Sequence, residues 1–384
     1  MHLGRNGARA QLRIRAKFLT LEAGVPFAFN KTSEHSHLSN PLNRGGILNI
    51  KEYTEHLRGA GEKVLAGSDE TVWVSLGPFV MQRRPYFASQ LPSREELQGV
   101  FSESHAAILN FTESSSEFSR SLYPNFAPGP TWSVPSYLYV CTDREYSYEN
   151  LSQSARSHIR RSLNEFEIRF LDAAEILTAG MDAFCDTRIR FGLSKGTRQA
   201  FEATFCQAQS FRRYLGAFKD NRLAAFVVIT EIDDWASIGP GYAVSEFLPL
   251  RPNNGLIFRA LRYYLVEEKR RLVDHGLSNV PFTAKVESLH RFKVKMGFEA
   301  RPVHRSFVVN PLLRPFVNRL SWKLVNGLQK LSPRIPLVEQ TELVLRMALR
   351  TPQSAEVLHN RYEGTVVRAA SEASLEQSRS RPGE

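Results

Sequence analysis

The spacing of hydrophobic and polar residues changes several times between residues 213 and 309, and each change predicts a new element. Loose alternation over 214–219, a nearly continuous apolar run over 223–232 and a third segment over 235–242 predict three strands joined by tight turns. The third segment contains Gly239-Pro240-Gly241, which should interrupt or splay the strand. These strands open the most regular part of the chain.

Helical spacing follows this strand-rich part. Apolar residues recur every three or four positions over 257–272, which predicts a helix that ends near Gly276. A short strand is predicted at 280–283, a second helix over 289–297, and a last strand over 298–309. The predicted order of elements is therefore β-β-β-α-β-α-β.

Strand and helix patterns also alternate upstream. The first stretch predicts helices and strands in the order helix, strand, helix, strand, strand, at 51–65, 71–76, 93–101, 106–111 and 136–141. Helices predicted at 152–166, 173–190 and 197–212 then lead into the regular part. Two mixed segments of similar size indicate a pseudo-repeat.

This succession predicts an α/β protein with two mixed-sheet halves around a central cleft. We expect a poorly ordered basic tail over 1–42, an N-terminal half over 43–150 and a C-terminal half over 151–310. A basic amphipathic extension follows over 311–350, and a mostly disordered tail over 351–384.

The net charge of +11 on 384 residues is concentrated at the two flanks of the chain. From Ala300 through Val338 there is no Asp or Glu, and five basic residues precede the first acid, Glu22. This distribution favours a partner surface over a nucleic-acid groove that runs through the fold.

Several function classes lack their sequence signals. The longest apolar run is too short to span a bilayer, which needs about 20 residues, and the N-terminus has no secretory signal pattern. Cys141, Cys185 and Cys206 show no metal-binding or redox spacing, and a sparse, odd set of cysteines fits a reducing compartment. No P-loop, nucleophile-elbow or dinucleotide motif is present. From the cysteines and the N-terminus we expect a cytoplasmic protein without a metal site.

The loop Arg251-Pro252-Asn253-Asn254-Gly255 opens the first predicted helix of the regular part. Backbone N–H groups and the helix dipole favour an anion at such a position, and Asn254 is a candidate cap. The alternative is an ordinary capped helix start after a turn.

Lys293 lies in a basic helix whose apolar positions Phe292 and Met296 should face the core. An ammonium group on another face can reach a cleft and stabilise a phosphate or an oxyanion there. The alternative is a solvated basic surface.

Arg156 and Arg160 are four residues apart on a helix whose packing stripe lies on a neighbouring face. Two guanidinium groups at this spacing can hold a phosphate or a carboxylate together. A simple surface pair of arginines is the alternative.

The segment from Pro311 to Leu331 places leucines on one side and basic residues elsewhere. This pattern is typical of a helix that lies in a membrane interface. It also fits a helix that packs on the body of the protein.

The order of elements over 213–309 resembles the GNAT acyltransferase fold, and two motifs resemble its FemAB-like branch, whose members carry two GNAT-like halves. One motif is the arginine-rich helix that contains Arg156 and Arg160. The other is Phe292-Lys293, followed by Gly297-Phe298. The similarity extends over roughly 151–310.

The resemblance implies transfer of an acyl group from acyl-CoA to an amine of an amino sugar or a cell-envelope polysaccharide precursor. By position, it makes Lys293 the catalytic residue, Arg251, Asn253, Asn254 and Gly255 the donor loop, and Arg156 and Arg160 substrate ligands. The loop lacks the second glycine of the usual CoA-binding pattern.

Two alternatives stay open at this point. The first is an aminoacyl-tRNA-dependent transferase of the same fold, in which the basic flanks would serve tRNA, the one nucleic-acid partner that we consider. The second is a non-catalytic protein that binds membrane surfaces. The missing glycine and the lack of a recognisable general base favour this alternative.

Overall fold

A computed structural model describes residues 50–59, 62–68, 70–76, 79–88, 91–113, 131–191, 195–205, 211–278 and 284–331, together with Leu345 and Leu349. The predicted tails at 1–42 and 351–384 and the predicted strand at 280–283 lie outside these residues. None of the helices in the described ranges combines the length and the apolar character that a bilayer crossing requires.

The described strands are numbered β1 to β11 in chain order. They are Val64–Ala66, Val72–Ser75, Val80–Arg84, Ile108–Glu113, Thr131–Cys141, Glu167–Leu171, Arg212–Lys219, Arg222–Ile232, Trp235–Ala243, Leu272–Leu277 and Glu299–Val309.

The described α-helices are numbered α1 to α9. They are Ile50–Gly59, Arg94–Ser104, Gln153–Glu165, Ala173–Ala179, Met181–Arg190, Arg198–Phe205, Pro252–Leu261, Ala284–Lys295 and Arg319–Leu331. Short 3-10 helices cover Ser245–Leu250 and Pro311–Phe316, and α7 continues as a π-helix over Arg262–Glu267.

The predicted order β-β-β-α-β-α-β is confirmed as β7, β8, β9, α7, β10, α8 and β11. The α/β class is confirmed with it. Burial of every residue of β8 from Leu223 to Ile229 agrees with the apolar run that predicted a strand covered on both faces.

The position of β10 differs from the prediction. Leu272 continues the helical spacing of the preceding apolar residues, yet it is the first residue of a strand. The helical segment ends at Glu267, and Lys269 then turns the chain in the left-handed region with φ 57°. Gly276, predicted to stop the helix, lies inside β10 with φ 65°. Periodicity alone cannot detect a turn of this kind within a continuous apolar pattern.

Other predicted helices also begin or end differently. The one at 51–65 corresponds to α1, Ile50–Gly59, and its last two predicted residues lie in β1, Val64–Ala66. The predicted helix at 173–190 is divided at Gly180 into α4 and α5. The one at 197–212 corresponds to α6, Arg198–Phe205, and its last predicted residue, Arg212, belongs to β7. The C-terminal helix is a 3-10 turn followed by α9.

The described residues fall into two compact units. One contains residues 50–78, 84–87 and 137–301; the other contains residues 79–83, 88–136 and those from 302 onward. The boundaries at residues 150 and 310 stay a prediction.

In the first unit a mixed sheet has the strand order β5, β10, β9, β8, β7, β6. Only β10 and β9 are parallel, and the other neighbours pair antiparallel. Helices α4, α5 and α6 cover part of this sheet, where Phe184, Phe201 and Phe205 pack with Phe226 and Tyr242. Such aromatic packing supplies a rigid base for the strands.

Helix α7 packs closely against α3 in the same unit. Gly255 makes this possible, because a Cβ atom at this position would overlap Ser162 Oγ on α3 and Ile168 Cδ1 on β6. The buried residues Leu256, Ala260 and Leu261 belong to the same helix. The two helices are therefore held at a distance that only glycine allows.

In the second unit β4 pairs parallel to β3 and antiparallel to β11. Helix α2 precedes β4, and Ser93 caps its N-terminus: the Ser93 hydroxyl accepts a hydrogen bond from the Glu96 N–H. All six residues of β4 are buried.

We expect Gly255→Ala to destabilise the protein by about 1–3 kcal/mol, because the new methyl group overpacks the contact between α3 and α7. Equilibrium unfolding in urea measures the change. Gly99→Ala is the matched control: it lies in α2 with nothing within 4 Å of the added Cβ, so it should be neutral or stabilising. Equal effects of the two variants would contradict the packing argument.

Candidate functional site

Three helix segments of the first unit enclose a pocket of about 420 Å³, which we call the three-helix pocket. Its lining comes from α3, from the start of α7 and from α8: Ala155, His158, Arg251, Asn254, Ser288, Arg291, Phe292 and Lys295. No carboxylate is among these residues. Two members of the predicted donor loop, Arg251 and Asn254, are thus part of it.

The start of α7 has an unusual cap. Arg251 is the N-cap residue, in the left-handed region with φ 64° and ψ 42°, and its side chain makes no capping hydrogen bond. Pro252 occupies the first helical position and has no N–H to satisfy. The expected cap, Asn254, lies inside the helix, and its amide approaches Met296 Sδ at 3.5 Å. The side chain of Arg251 therefore remains available to the pocket.

The other two residues of the predicted donor loop do not line the pocket. Gly255 serves the contact between α3 and α7. The Oδ1 atom of Asn253 is buried and has no hydrogen-bond partner among the described residues. A donor group on a ligand or a water molecule would satisfy it.

Positive charge dominates the three-helix pocket. Arg251, Arg291 and Lys295 contribute cations, and the carboxylate of Glu287 lies 3.2 Å from Arg291. The pKa of His158 is lowered by burial first, and then by Arg251, Lys295 and Arg161. His158 is therefore neutral at pH 7, and an imidazole in this state accepts a proton. The pocket has the charge to hold an anion and a base beside it.

A second pocket, of about 450 Å³, lies on another face of α3. We call it the Arg156 pocket. It is lined by Tyr148, Glu149, Gln153, Arg156, Ser157 and Arg160. Arg156 donates a hydrogen bond to the backbone carbonyl of Glu149 at 3.2 Å. The structure thus brings together the arginine pair that the helix spacing predicted.

Lys293 lies away from both pockets. We expected its ammonium group to face a cleft, but the residue is only 4% exposed. Its Nζ donates a hydrogen bond to the His275 carbonyl at 2.6 Å and lies 4.2 Å from the centre of the Tyr139 ring. Helix α8 therefore turns Lys293 toward β5 and β10, whereas Arg291 and Lys295 line the three-helix pocket.

Strands β9 and β10 form a fork next to Lys293. Their registered pairs end at Ser237 and Asp274, although β9 continues to Ala243 and β10 to Leu277. The predicted interruption in β9 is a bulge, because Val227 pairs with Gly241 and Ile229 with Ile238. Pairing between β8 and β9 resumes beyond it. Backbone groups of β9 in this region do not pair with β10.

Asp274 is a buried carboxyl at the base of this fork. Its Oδ1 accepts hydrogen bonds from Ser237 Oγ at 3.0 Å and from the Gly276 N–H at 2.9 Å. Burial raises the pKa of Asp274 to about 6, against the opposing effect of these bonds and of the charges on Arg84 and Lys293. At 1% exposure it does not face solvent.

Two histidines complete this buried cluster. Tyr139 Oη and His290 Nδ1 are 2.9 Å apart, and burial lowers the pKa of His290. Burial and Lys293 together hold the pKa of His275 well below its ordinary value. Sequence reasoning missed this cluster because it assigned residues 272–276 to the end of a helix. The signal available was the pair Leu272-Val273 followed by polar residues and a glycine.

No protein-family model matches the chain, and no curated protein matches it. Solved structures similar to it include FemX, with a TM-score of 0.47 and 11% identity over 79% of this chain and 98% of that chain. L-PGS from Bacillus licheniformis has a TM-score of 0.43 and 13% identity over 70% of this chain and 92% of that chain. A tandem GNAT protein from the clavulanic acid biosynthesis pathway has a TM-score of 0.39 and 11% identity over 62% of this chain and 78% of that chain. FemX and a GNAT protein are thus both among the similar structures.

We expect Asp274→Asn to change the pH dependence of stability. The folded-state pKa of Asp274, about 6, lies above the ordinary 3.8, so its contribution is present below pH 3.8 and is lost as the pH rises through 6. Asparagine has no such proton. The unfolding free energy of the variant, relative to wild type, should therefore rise by up to about 3 kcal/mol between pH 4 and pH 7. Urea unfolding at a series of pH values measures this. Asp220→Asn, at an exposed turn, is the control, and parallel curves for Asp274→Asn and wild type would contradict the expectation.

We also expect sulfate to bind more tightly as the pH falls from 7.5 to 5.5. Burial first, and then nearby cations, lower the pKa of His158. A bound anion offsets the cations and favours the protonated imidazole, so the linkage increases affinity by up to about tenfold. Sulfate keeps its charge over this range. His158→Gln should remove the pH dependence, whereas His105→Asn, at an exposed position, should not. Calorimetry gives the affinities, and an unchanged pH dependence in His158→Gln would exclude His158 from the anion site.

Proposed function

We propose that this protein is an N-acyltransferase that transfers an acyl group from acyl-CoA to an amine of an amino sugar or a cell-envelope polysaccharide precursor. The observation that carries the proposal is the three-helix pocket, in which the positive end of α7 and three basic side chains surround a cavity without a carboxylate in its lining. The phosphates of CoA supply the matching negative charge.

The donor is proposed to place its phosphates at Arg251, Arg291 and Lys295. The thioester would then extend toward the fork, where backbone N–H groups of β9 that lack a partner strand can polarise its carbonyl. In the reaction the amine nitrogen bonds to the carbonyl carbon, the C–S bond breaks, and the thiolate of CoA leaves. The departing thiolate takes up the proton that the amine gives up, so the products are the amide and the CoA thiol.

The acceptor is proposed to use the Arg156 pocket. Arg156 and Arg160 lie on the same helix as His158, so a phosphate or carboxylate held there would lie one helix away from the donor. Sugar-phosphate and envelope precursors carry such groups. Positioning of the two substrates then supplies most of the rate increase.

Lys293, the residue to which the family resemblance assigns catalysis, would act in this proposal from its buried position. Its charge fixes the His275 carbonyl and lies near Asp274, which holds the fork in shape. A fixed charge in a buried environment acts strongly on a developing oxyanion nearby.

An aminoacyl-tRNA donor is the second candidate. The same basic lining suits the phosphates at the 3′ end of a charged tRNA. Arg251, Arg291 and Lys295 offer the same contacts to these phosphates as to those of CoA. Cys141 and Cys185 are both free, which fits the cytoplasmic location that either donor requires.

The test is thermal unfolding with acetyl-CoA and longer acyl-CoAs. A donor at a hundred times its dissociation constant should add about 2.7 kcal/mol of stability. Arg251→Gln/Lys295→Gln should abolish most of the shift. Arg144→Gln/Lys51→Gln, which removes two exposed charges outside both pockets, should keep it. Lys293→Met should retain the shift but lower the rate of amide formation, measured by mass spectrometry with amino-sugar acceptors.

The negative outcomes are distinct. If acyl-CoAs give no shift, the acyl-CoA proposal fails. Binding of charged tRNA with steep salt dependence, lost in Arg251→Gln/Lys295→Gln, would then support the second candidate. A protein that binds neither donor would be a non-catalytic member of the fold.

A further inference from the structure

The segment 311–331 exposes an apolar surface. Leu312, Phe316, Leu320, Leu324 and Leu328, which we call the leucine face, are 82%, 65%, 68%, 62% and 53% exposed. Elsewhere among the described residues, Leu163, Ile189, Leu289 and Val294 are exposed by 41–54%, one on α3, one on α5 and two on α8. An apolar surface of several adjacent side chains is unusual for a protein in water, and it indicates a partner.

The leucines of α9 form a continuous stripe along one side of the helix. Leu320, Leu324 and Leu328 follow one another at every fourth residue, so they form a stripe along the helix. Ser321, Val325 and Asn326, on neighbouring faces, are only partly exposed. These three residues are therefore partly buried, whereas the leucines of the same helix face solvent.

Basic residues border the stripe. Arg319 and Lys323 are exposed, and a spacing of about 100° per residue places both on the same flank of the leucines. From this flank their long side chains can reach the level of headgroups while the leucines enter the acyl region. No acidic residue occurs between residues 300 and 338 to compete for these charges.

The charges beside the leucines distinguish two candidate partners for this surface, a second copy of the chain and an anionic membrane. A second copy of the chain would bring Arg319 and Lys323 near their counterparts with no acidic residue of the segment between them, which is unfavourable. A bilayer with anionic headgroups offers apolar depth under the leucines and negative charge beside the cations. An anionic bilayer therefore matches both the apolar leucines and the basic residues beside them.

We propose that the leucine face and its basic flank form a docking surface for an anionic membrane, on which α9 lies parallel to the bilayer plane. The inference goes beyond acyl transfer and does not depend on it, because it rests on side chains of the second unit alone. It predicts that the full chain binds anionic vesicles through a combination of apolar and electrostatic contacts.

The experiment is flotation of the 384-residue chain with vesicles of phosphatidylcholine alone or with a quarter of phosphatidylglycerol. The wild type should float with the anionic vesicles at low salt and much less with the neutral ones. Leu320→Gln/Leu324→Gln should weaken binding by about tenfold or more, because two side chains no longer enter the acyl region. Leu163→Gln/Ile189→Gln, at positions 44% and 54% exposed on α3 and α5, is the matched control and should bind like wild type.

Arg319→Gln/Lys323→Gln isolates the charge contribution. It should lose roughly tenfold of the preference for anionic vesicles and become less sensitive to salt. Circular dichroism of each variant checks that the fold is kept. Failure of the wild type to bind anionic vesicles, or equal binding by Leu320→Gln/Leu324→Gln, would overturn the proposal. A dimer in sedimentation equilibrium that this variant dissociates, without vesicle binding, would assign the surface to a second copy instead.

Discussion

The contact between α3 and α7 is the constraint on which both pockets of the first unit depend. Gly255 allows α7 to approach Ser162 without a Cβ in between, and this sets the positions of the two helices. Helix α3 then turns His158 toward the three-helix pocket and Arg156 toward the other. A larger residue at position 255 would separate the helices that carry both sets of side chains. The glycine that sequence patterns associate with donor binding thus contributes through packing.

The charges of the first unit are divided between two environments by α8. Arg291 and Lys295 face the open three-helix pocket, where a mobile anion can neutralise them. Lys293, between them in sequence, is buried beside Tyr139 and the His275 carbonyl, near the carboxyl of Asp274. A buried cation needs such fixed partners, because water no longer solvates it. Adjacent basic residues on one helix therefore have different physical roles.

The fork between β9 and β10 connects this buried cluster with the chemistry of the proposal. Registered pairing with β10 ends at Ser237, which leaves later backbone groups of β9 without a partner strand on that side, and Asp274 accepts a hydrogen bond from the Gly276 N–H within β10. An opening of this kind costs sheet hydrogen bonds, which the surrounding structure must offset. A substrate carbonyl can replace the missing strand. In the proposed reaction, the fork, the three-helix pocket and the buried Lys293 therefore belong to one functional region of the first unit.

Local periodicity was enough to predict the order of strands and helices over 213–309, the packing stripe of α3 and the pairing of Arg156 with Arg160, because these depend on neighbours within one or two turns. It could not predict that β10 begins at Leu272, since the left-handed turn at Lys269 leaves the apolar spacing intact. Nor could it predict which face of α8 is buried, the burial of Lys293 or the raised pKa of Asp274. Those properties arise from residues far apart in the chain, and only the tertiary structure, which determines desolvation and contact between them, decides them.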